Sequence, residues 1–452
     1  MAMGKRNRAP RQSTIWIATN DLPRAAAHPF YESLNRVMDQ VGFDTHVERL
    51  CAPFYAATMG RPSLAPGRYF RLLMVGYFEG LDSERAIAWR AADSFALRRF
   101  LDLELPEGPP DHSTISRTRR LIDLETHQAV FTWILKRLAE AGLVRGKTIG
   151  IDATTLEANA ALRSIVRRDT GEGYQEFLTQ LAQASGIQTP TREELARLDR
   201  KRKGKGSNDD WTHPHDPDAK ITKMKDGRTH LAHKAEHAVD LQTGAVVAVT
   251  VQDADEGDTT TSIETLIEAA EQIEAVVEGS DGPKEFVGDK GYHSNQVLVA
   301  LEAVGLRSYI SEPDRGPRQW KDNPEARHAV YGNRRRIRSA RGKRLLRQRG
   351  ELLERPFAHL YETGRMRCVY LRGHQNILKR ILLHAAALNL GLLMRTLFGV
   401  GTPRSLQGRA AAIFIAVYSF IRPSETFWMR LLGCIERHIA RGLIPLSQCT
   451  SN

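Results

Sequence analysis

Cysteine is scarce in this chain: Cys51, Cys368, Cys434 and Cys449 are the four in 452 residues, and no two form a CxxC pair. That spacing excludes a disulfide framework and a zinc ribbon, and it fits a reducing compartment. Long apolar runs are missing as well. The stretch most worth testing as a membrane span is 410–421, and twelve residues are too few to cross a bilayer. Residues 1–12 are basic and polar with no apolar stretch behind them, so no signal peptide is read there. Acids are the minority charge, 53 Asp and Glu against 65 Lys and Arg, for a formal charge of +12 and a pI near 9.6. Such a surplus points to a polyanionic partner, most often nucleic acid, and is silent about fold. These readings together predict a cytoplasmic protein with no membrane partner.

What is present is a globular pattern, 41% apolar with charge breaking up every aliphatic run. The length allows two or three hydrophobic cores. After a basic tail, 1–27, residues 28–143 read as helical throughout. Pro66 opens a helix that Gly80 ends, Asp82 or Ser83 caps the next, Ser94 a third, and Asp111 to Ser113 a fourth; residues 124–142 form a longer fifth. Short helices in close succession, with Arg98, Arg99, Arg117, Arg119 and Arg120 read as facing outward, are compatible with a helical DNA-binding domain. Arginine faces are also ordinary solvated surface, so this region alone leaves the matter open.

From 144 to 400 the pattern changes to α/β. Residues 147–152 (KTIGID) form a strand read as ending on an acid, and 231–240 with 245–251 form a hairpin around Gly244. Thr261 and Glu264 read as the capping box of a helix that stops at Gly279, and 284–289 (KEFVGD) is a strand again ending on an acid. Ser294 caps a helix, and 306–310 is a further strand. Strands in hairpin order, then alternating with helices, predict a mixed sheet flanked by helices. Residues 160–228 read as an insertion, flexible around the basic run 200–210, and 401–452 as a C-terminal extension with a helix over 413–421.

Asp152 and Asp289 therefore both stand at strand ends, where open sheets place their ligands. Two aspartates sharing one crevice repel each other unless a divalent cation neutralises them, and hard cations such as Mg²⁺ take oxygen ligands. Either residue alone would more ordinarily cap a turn. A third acid is expected from the helix at 343–361, where Glu354 sits beside the apolar seam of Leu346, Leu353, Phe357 and Leu360; Glu351 is its rival, and Pro356 is expected to kink the helix near Glu354. From Arg334 to Arg349 the chain carries nine basic residues and no acid: Arg334, Arg335, Arg336, Arg338, Arg341, Lys343, Arg344, Arg347 and Arg349. So one-sided a run beside the third acid points to phosphate contacts.

The segments 149–159 (IGIDATTLEAN), 287–294 (VGDKGYHS) and 349–364 (RGELLERPFAHLYETG) resemble those of DDE transposases of bacterial insertion sequences, and 111–117 (DHSTISR) resembles the InsH-type N-terminal domain of that group. The resemblance spans roughly 28–400. It implies an RNase H-like catalytic domain behind an all-α N-terminal domain, and Asp152, Asp289 and Glu354 as catalytic ligands of two Mg²⁺ ions, with Mn²⁺ as a substitute. It further implies double-stranded DNA (transposon ends and target) as partner, a homodimer in the DNA complex and association with the nucleoid. Where relatives carry Arg and Lys around the Glu, this chain has Gly350 and Tyr361, with Arg349 one residue off.

Two other readings compete. Residues 233–237 (HKAEH) match a zinc-peptidase pattern that needs a helix, but here the segment runs into a hairpin. A non-catalytic DNA-binding regulator, or a domesticated transposase, would carry the same basic helices but has no reason to gather three acids.

Overall fold

The structure is a computed structural model that describes residues 28–56, 63–104, 107–202, 206–314, 316, 318, 320 and 323–406. The N-terminal tail, most of the 401–452 extension with its expected helix over 413–421, and part of the basic run at 200–210 lie outside those residues.

Seven helices come first: α1 (Pro29–Gln40), α2 (Phe43–Cys51), α3 (Pro66–Glu79), α4 (Glu84–Asp93), α5 (Phe95–Phe100), α6 (His112–Leu121) and α7 (Leu124–Glu140). Their limits follow local chemistry. Proline opens α1 and α3, and the side chains of Ser83, Ser94, Asp111 and Asp123 each accept a first-turn amide of α4, α5, α6 and α7. Gly80, at φ +68°, ends α3 in the left-handed conformation that only glycine adopts without strain. α3 is buried almost all round. Its Arg71 is buried there, paired with Asp44 at 2.6 Å and stacked over Phe100.

The α/β part begins with β1 (Thr148–Ala158), and then come β2 (Val166–Arg167), α8 (Tyr174–Ala184), α9 (Arg192–Lys201), β3 (Trp211–Thr212) and β4 (Lys220–Lys223). Next are β5 (Thr229–Asp240), β6 (Val246–Asp253), α10 (Asp258–Val276), β7 (Glu285–Gly288), α11 (Asn295–Ala303) and β8 (Arg307–Ile310). The series closes with α12 (Pro324–Arg338), α13 (Ala340–Phe357), β9 (Cys368–Val369) and α14 (His374–Phe398). The main sheet runs β6-β5-β1-β7-β8, with β5 antiparallel to its neighbours and β1, β7 and β8 parallel. This is the RNase H-like mixed sheet that the resemblance implied, with an all-helical region in front of it. β4 extends the same sheet by pairing with the start of β5, so the segment read as an insertion returns to the core before 228.

α10 covers one face of the sheet and α13 the other. Both edges are closed by an asparagine. Asn389 of α14 donates to Val246 O at 2.8 Å and accepts its N–H at 3.0 Å; Asn333 of α12 does the same to Ile310 at 2.8 and 3.0 Å. Each amide stands in for one more strand and satisfies an edge that would otherwise be left unpaired.

α14 joins the helical region to the sheet. Its buried Lys379 caps the end of α6 by donating to the carbonyls of Arg119 and Ile122, and Arg380 donates to Leu81 O beyond α3. By length and apolarity the helical stretch from 374 to 406 could cross a membrane, a run missed in the sequence, but 67% of its most apolar window is buried inside the protein.

Several expectations are corrected. β1 does not stop at Asp152 but runs on to Ala158. α10 starts at Asp258 with Gly257 as its N-cap; Thr261 lies inside the helix, where its hydroxyl serves Lys234 and Glu236 rather than a capping box. Pro356 does not end α13, which continues to Phe357 and then widens into a π-helical turn, Ala358–Thr363. Residues 233–237 lie on β5, so Glu236 faces away from His233 and His237, as the rejection of the peptidase reading required.

Candidate active site

β1 is long enough to meet two parallel partners on one edge. β7 pairs with Thr148 to Gly150 and β9 with Glu157 and Ala158; among the described residues no strand pairs with 151–156 on that side. The edge therefore forks, and the fork is a crevice. Asp152 projects from β1 within it, and Asp289 follows directly from the end of β7.

Each carboxylate is held by backbone. The Ala153 N–H donates to Asp152 Oδ1 at 2.9 Å, using an amide that the fork leaves without a strand. The Gly291 N–H donates to Asp289 Oδ1 at 2.7 Å as Asp289 caps the turn Lys290–Tyr292. Their outer oxygens share one cation: Arg349 Nη2 of α13 lies 2.8 Å from Asp152 Oδ2 and 3.8 Å from Asp289 Oδ2. Burial pushes the Asp152 carboxyl above the usual range; Arg349 pulls it back, and Asp289 and Asp258 push it up again.

Gly150 sets how close α13 comes. A Cβ there would meet Leu241 at 2.8 Å and Leu353 at 3.0 Å, so a larger residue would have to push those leucine side chains aside where α13 packs on β1. Beneath the site, on the α10 face, Glu236 is fully buried and accepts from Tyr292 Oη at 2.8 Å and Thr265 Oγ1 at 2.5 Å. Burial raises its pKa, and those hydroxyls oppose the rise. Lys234 lies beside it, 2.7 Å from Asp258 Oδ1. Asp258 itself reaches the rim: a Cβ on Gly291 would lie 2.7 Å from Asp258 Oδ2 and 3.0 Å from Asp289 Oδ1. Sequence reading missed Asp258; its only signal was its place at the start of a helix after β6.

Glu354 stands apart from the pair. It is exposed on α13, about one and a half turns past Arg349, and no hydrogen bond or ion pair among the described residues ties it to either aspartate. Glu351 is also exposed and pairs with Arg355 at 2.5 Å. Among the described residues no group of three or more His, Cys, Asp or Glu side chains is gathered for a metal ion. The fit to a divalent cation rests on the donor chemistry: two carboxylates, hard oxygen donors, whose charge one shared guanidinium only half offsets.

The basic residues divide. Arg98 is buried, donating to the carbonyls of Glu104 and Glu107, and Arg119 is buried against Glu84 and Asn376; both were expected to face outward. Arg99, Arg117 and Arg120 are exposed. In the 334–349 run, Arg334 forks onto Glu312 at 2.6 and 2.8 Å, Arg336 onto Ser308, and Arg341 onto buried Glu285. Arg335, Arg338, Lys343, Arg344 and Arg347 are exposed and have no acidic partner among the described residues.

Family comparisons agree with this architecture. The model described as Transposase domain (DUF772) matches residues 20–121, and that described as Transposase DDE domain matches 208–390. No curated protein matches the chain. With matches covering both the helical region and most of the forked sheet, the chain belongs to the insertion-sequence DDE transposases, DNA-processing enzymes that typically use divalent metals.

Proposed function

We propose that this transposase binds the ends of its insertion element and carries out strand cleavage and strand transfer by two-metal-ion phosphoryl transfer, with Asp152, Asp289 and Glu354 holding two Mg²⁺ ions. The observation that carries this reading is the pair of aspartates, distant in sequence, that share one guanidinium in the fork of the sheet. Carboxylates so placed call for a cation, and an all-oxygen set suits Mg²⁺ or Mn²⁺. When bound, such ions would stabilise the attacking and leaving oxygens of an in-line displacement at phosphorus.

The chain's own residues set the stage for that chemistry. The Ala153 and Gly291 amides fix the two carboxylates, leaving their outer oxygens toward the crevice. Glu354, with no ion-pair partner among the described residues and on the same helix as Arg349, would complete the set. Exposed Arg335, Arg338, Lys343, Arg344 and Arg347 offer charge to the phosphates of duplex DNA. Water displaces the 3′ oxygen at the element's end, leaving a 5′ phosphate on the flank. The freed 3′-hydroxyl then displaces a 3′ oxygen in target DNA, so no bond to the protein forms. Two ends must be joined, and two copies of the chain bring them together.

Asp152→Asn tests this directly. Gel shifts on end-bearing duplex should stay near wild type while Mg²⁺-dependent nicking disappears. Unchanged nicking by that variant would overturn the mechanism; lost binding together with lost stability would instead mark Asp152 as a structural cap.

A further inference from the structure

Arg349 is placed unusually for a residue expected on a DNA-facing surface. Its side chain is only 15% exposed, and its charge is directed at Asp152 and Asp289. Each aspartate uses one oxygen on a backbone amide, so the oxygens facing Arg349 are those that a metal ion would need. The guanidinium is otherwise loosely held: its Nε is buried with no hydrogen-bond partner among the described residues. It is anchored by the carboxylates and by little else, on a helix whose neighbouring Lys343, Arg344 and Arg347 are exposed.

We propose that Arg349 is an internal counter-cation that occupies the metal position of the Asp152–Asp289 pair in the DNA-free protein and must withdraw before metal can load. The proposal rests on the reading of those aspartates as metal ligands. Its physical basis is competition. One guanidinium and a divalent ion cannot both hold the same outer oxygens, and breaking a largely buried ion pair is costly unless the released charge finds another partner. A DNA phosphate is such a partner, bidentate and well matched to guanidinium. DNA binding thus draws Arg349 off the carboxylates and opens the site to metal, which keeps the nuclease unloaded until its substrate is in place.

The test is Mn²⁺ binding to the full-length protein without DNA, measured by calorimetry and by loss of the free-ion electron paramagnetic resonance signal. Arg349→Gln should bind Mn²⁺ about tenfold tighter than wild type or more, with each factor of ten being about 1.4 kcal/mol. Arg349→Lys should fall between them. Arg349→Gln should also melt lower than wild type in chelator and recover more on adding Mn²⁺. Adding a duplex should tighten Mn²⁺ binding in the wild type and much less in Arg349→Gln. Asp152-dependent Mn²⁺ binding that Arg349→Gln leaves unchanged or weakens would overturn the counter-cation role alone. Mn²⁺ binding in Arg349→Gln that survives addition of Asp152→Asn would overturn the carboxylate site itself, and the inference with it.

Discussion

Arginine has different meanings at different positions in this protein, and burial and partners decide which. Arg119 is buried against Glu84, so Arg119→Ala strands a carboxylate that is only 13% exposed. It should cost about 3 kcal/mol of stability, read by urea unfolding, with DNA affinity falling only as folded protein is lost. Arg347→Ala, at an exposed position, should leave stability within about 0.5 kcal/mol and weaken DNA binding instead. Glu354 and Glu351 separate in the same way: Glu354→Gln should abolish cleavage while Glu351→Gln keeps it, because Glu351 is already engaged with Arg355. The reverse result would move the third ligand by one turn. Asp152 and Asp289 were legible in the sequence because each ends a segment patterned as a short strand, although β1 itself runs on past Asp152. Arg349 was not, because a basic residue in a basic run gives no sign of turning inward until α13 packs on the sheet and sets it beside the two aspartates.

At the level of elements, the edges of the sheet carry the clearest expectations. Removing the amide in Asn389→Ala or Asn333→Ala leaves a buried N–H and a buried C=O unpaired. Each variant should lose about 2–4 kcal/mol, measured by chemical unfolding, with hydrogen exchange accelerated at Val246 or Ile310 respectively. Equal exchange in wild type and variant would show that water replaces the amide at no cost. Five of the strands and most helix starts were readable from period and caps, since Ser83, Ser94, Asp111 and Ser294 act as local signals should, but β2, β3, β4 and β9 were not. What escaped was set by distant partners. β1 continues past its acid because β5 and β9 pair with residues that look like a loop, and Thr261 leaves its capping role because Lys234 and Glu236 need its hydroxyl.

Across the whole molecule, α14 fastens the N-terminal helices to the sheet, and each of the two parts holds a fully buried histidine that reports on its own packing. His127 bonds to Tyr69 and to Asp123 O, and His237 lies against Tyr361; burial pushes both down to about 3. Both are neutral in the folded chain at pH 5 and titrate near 6.5 when unfolded. The unfolded state therefore binds the extra protons, and stability falls as pH drops below about 6.5 towards 4, by up to about 1.4 kcal/mol per unit for each histidine. Unfolding midpoints at pH 7, 6 and 5 would show it, and His127→Phe should flatten the slope. The net charge of +12 acts at the same scale. Neutralising Arg335, Arg338, Arg344 and Arg347 together should reduce the slope of log affinity against log salt by about 3 to 4. An unchanged slope would remove α12 and α13 from the DNA path.

The central claim is that Asp152, Asp289 and Glu354 converge on metal when DNA is bound. Mn²⁺ anomalous scattering from the full-length protein bound to an end-bearing duplex tests it most directly. Two peaks about 4 Å apart, held by Asp152, Asp289 and Glu354 and free of Arg349, are the expected result. Peaks elsewhere, or a pair with Glu354 still turned to solvent, would contradict it.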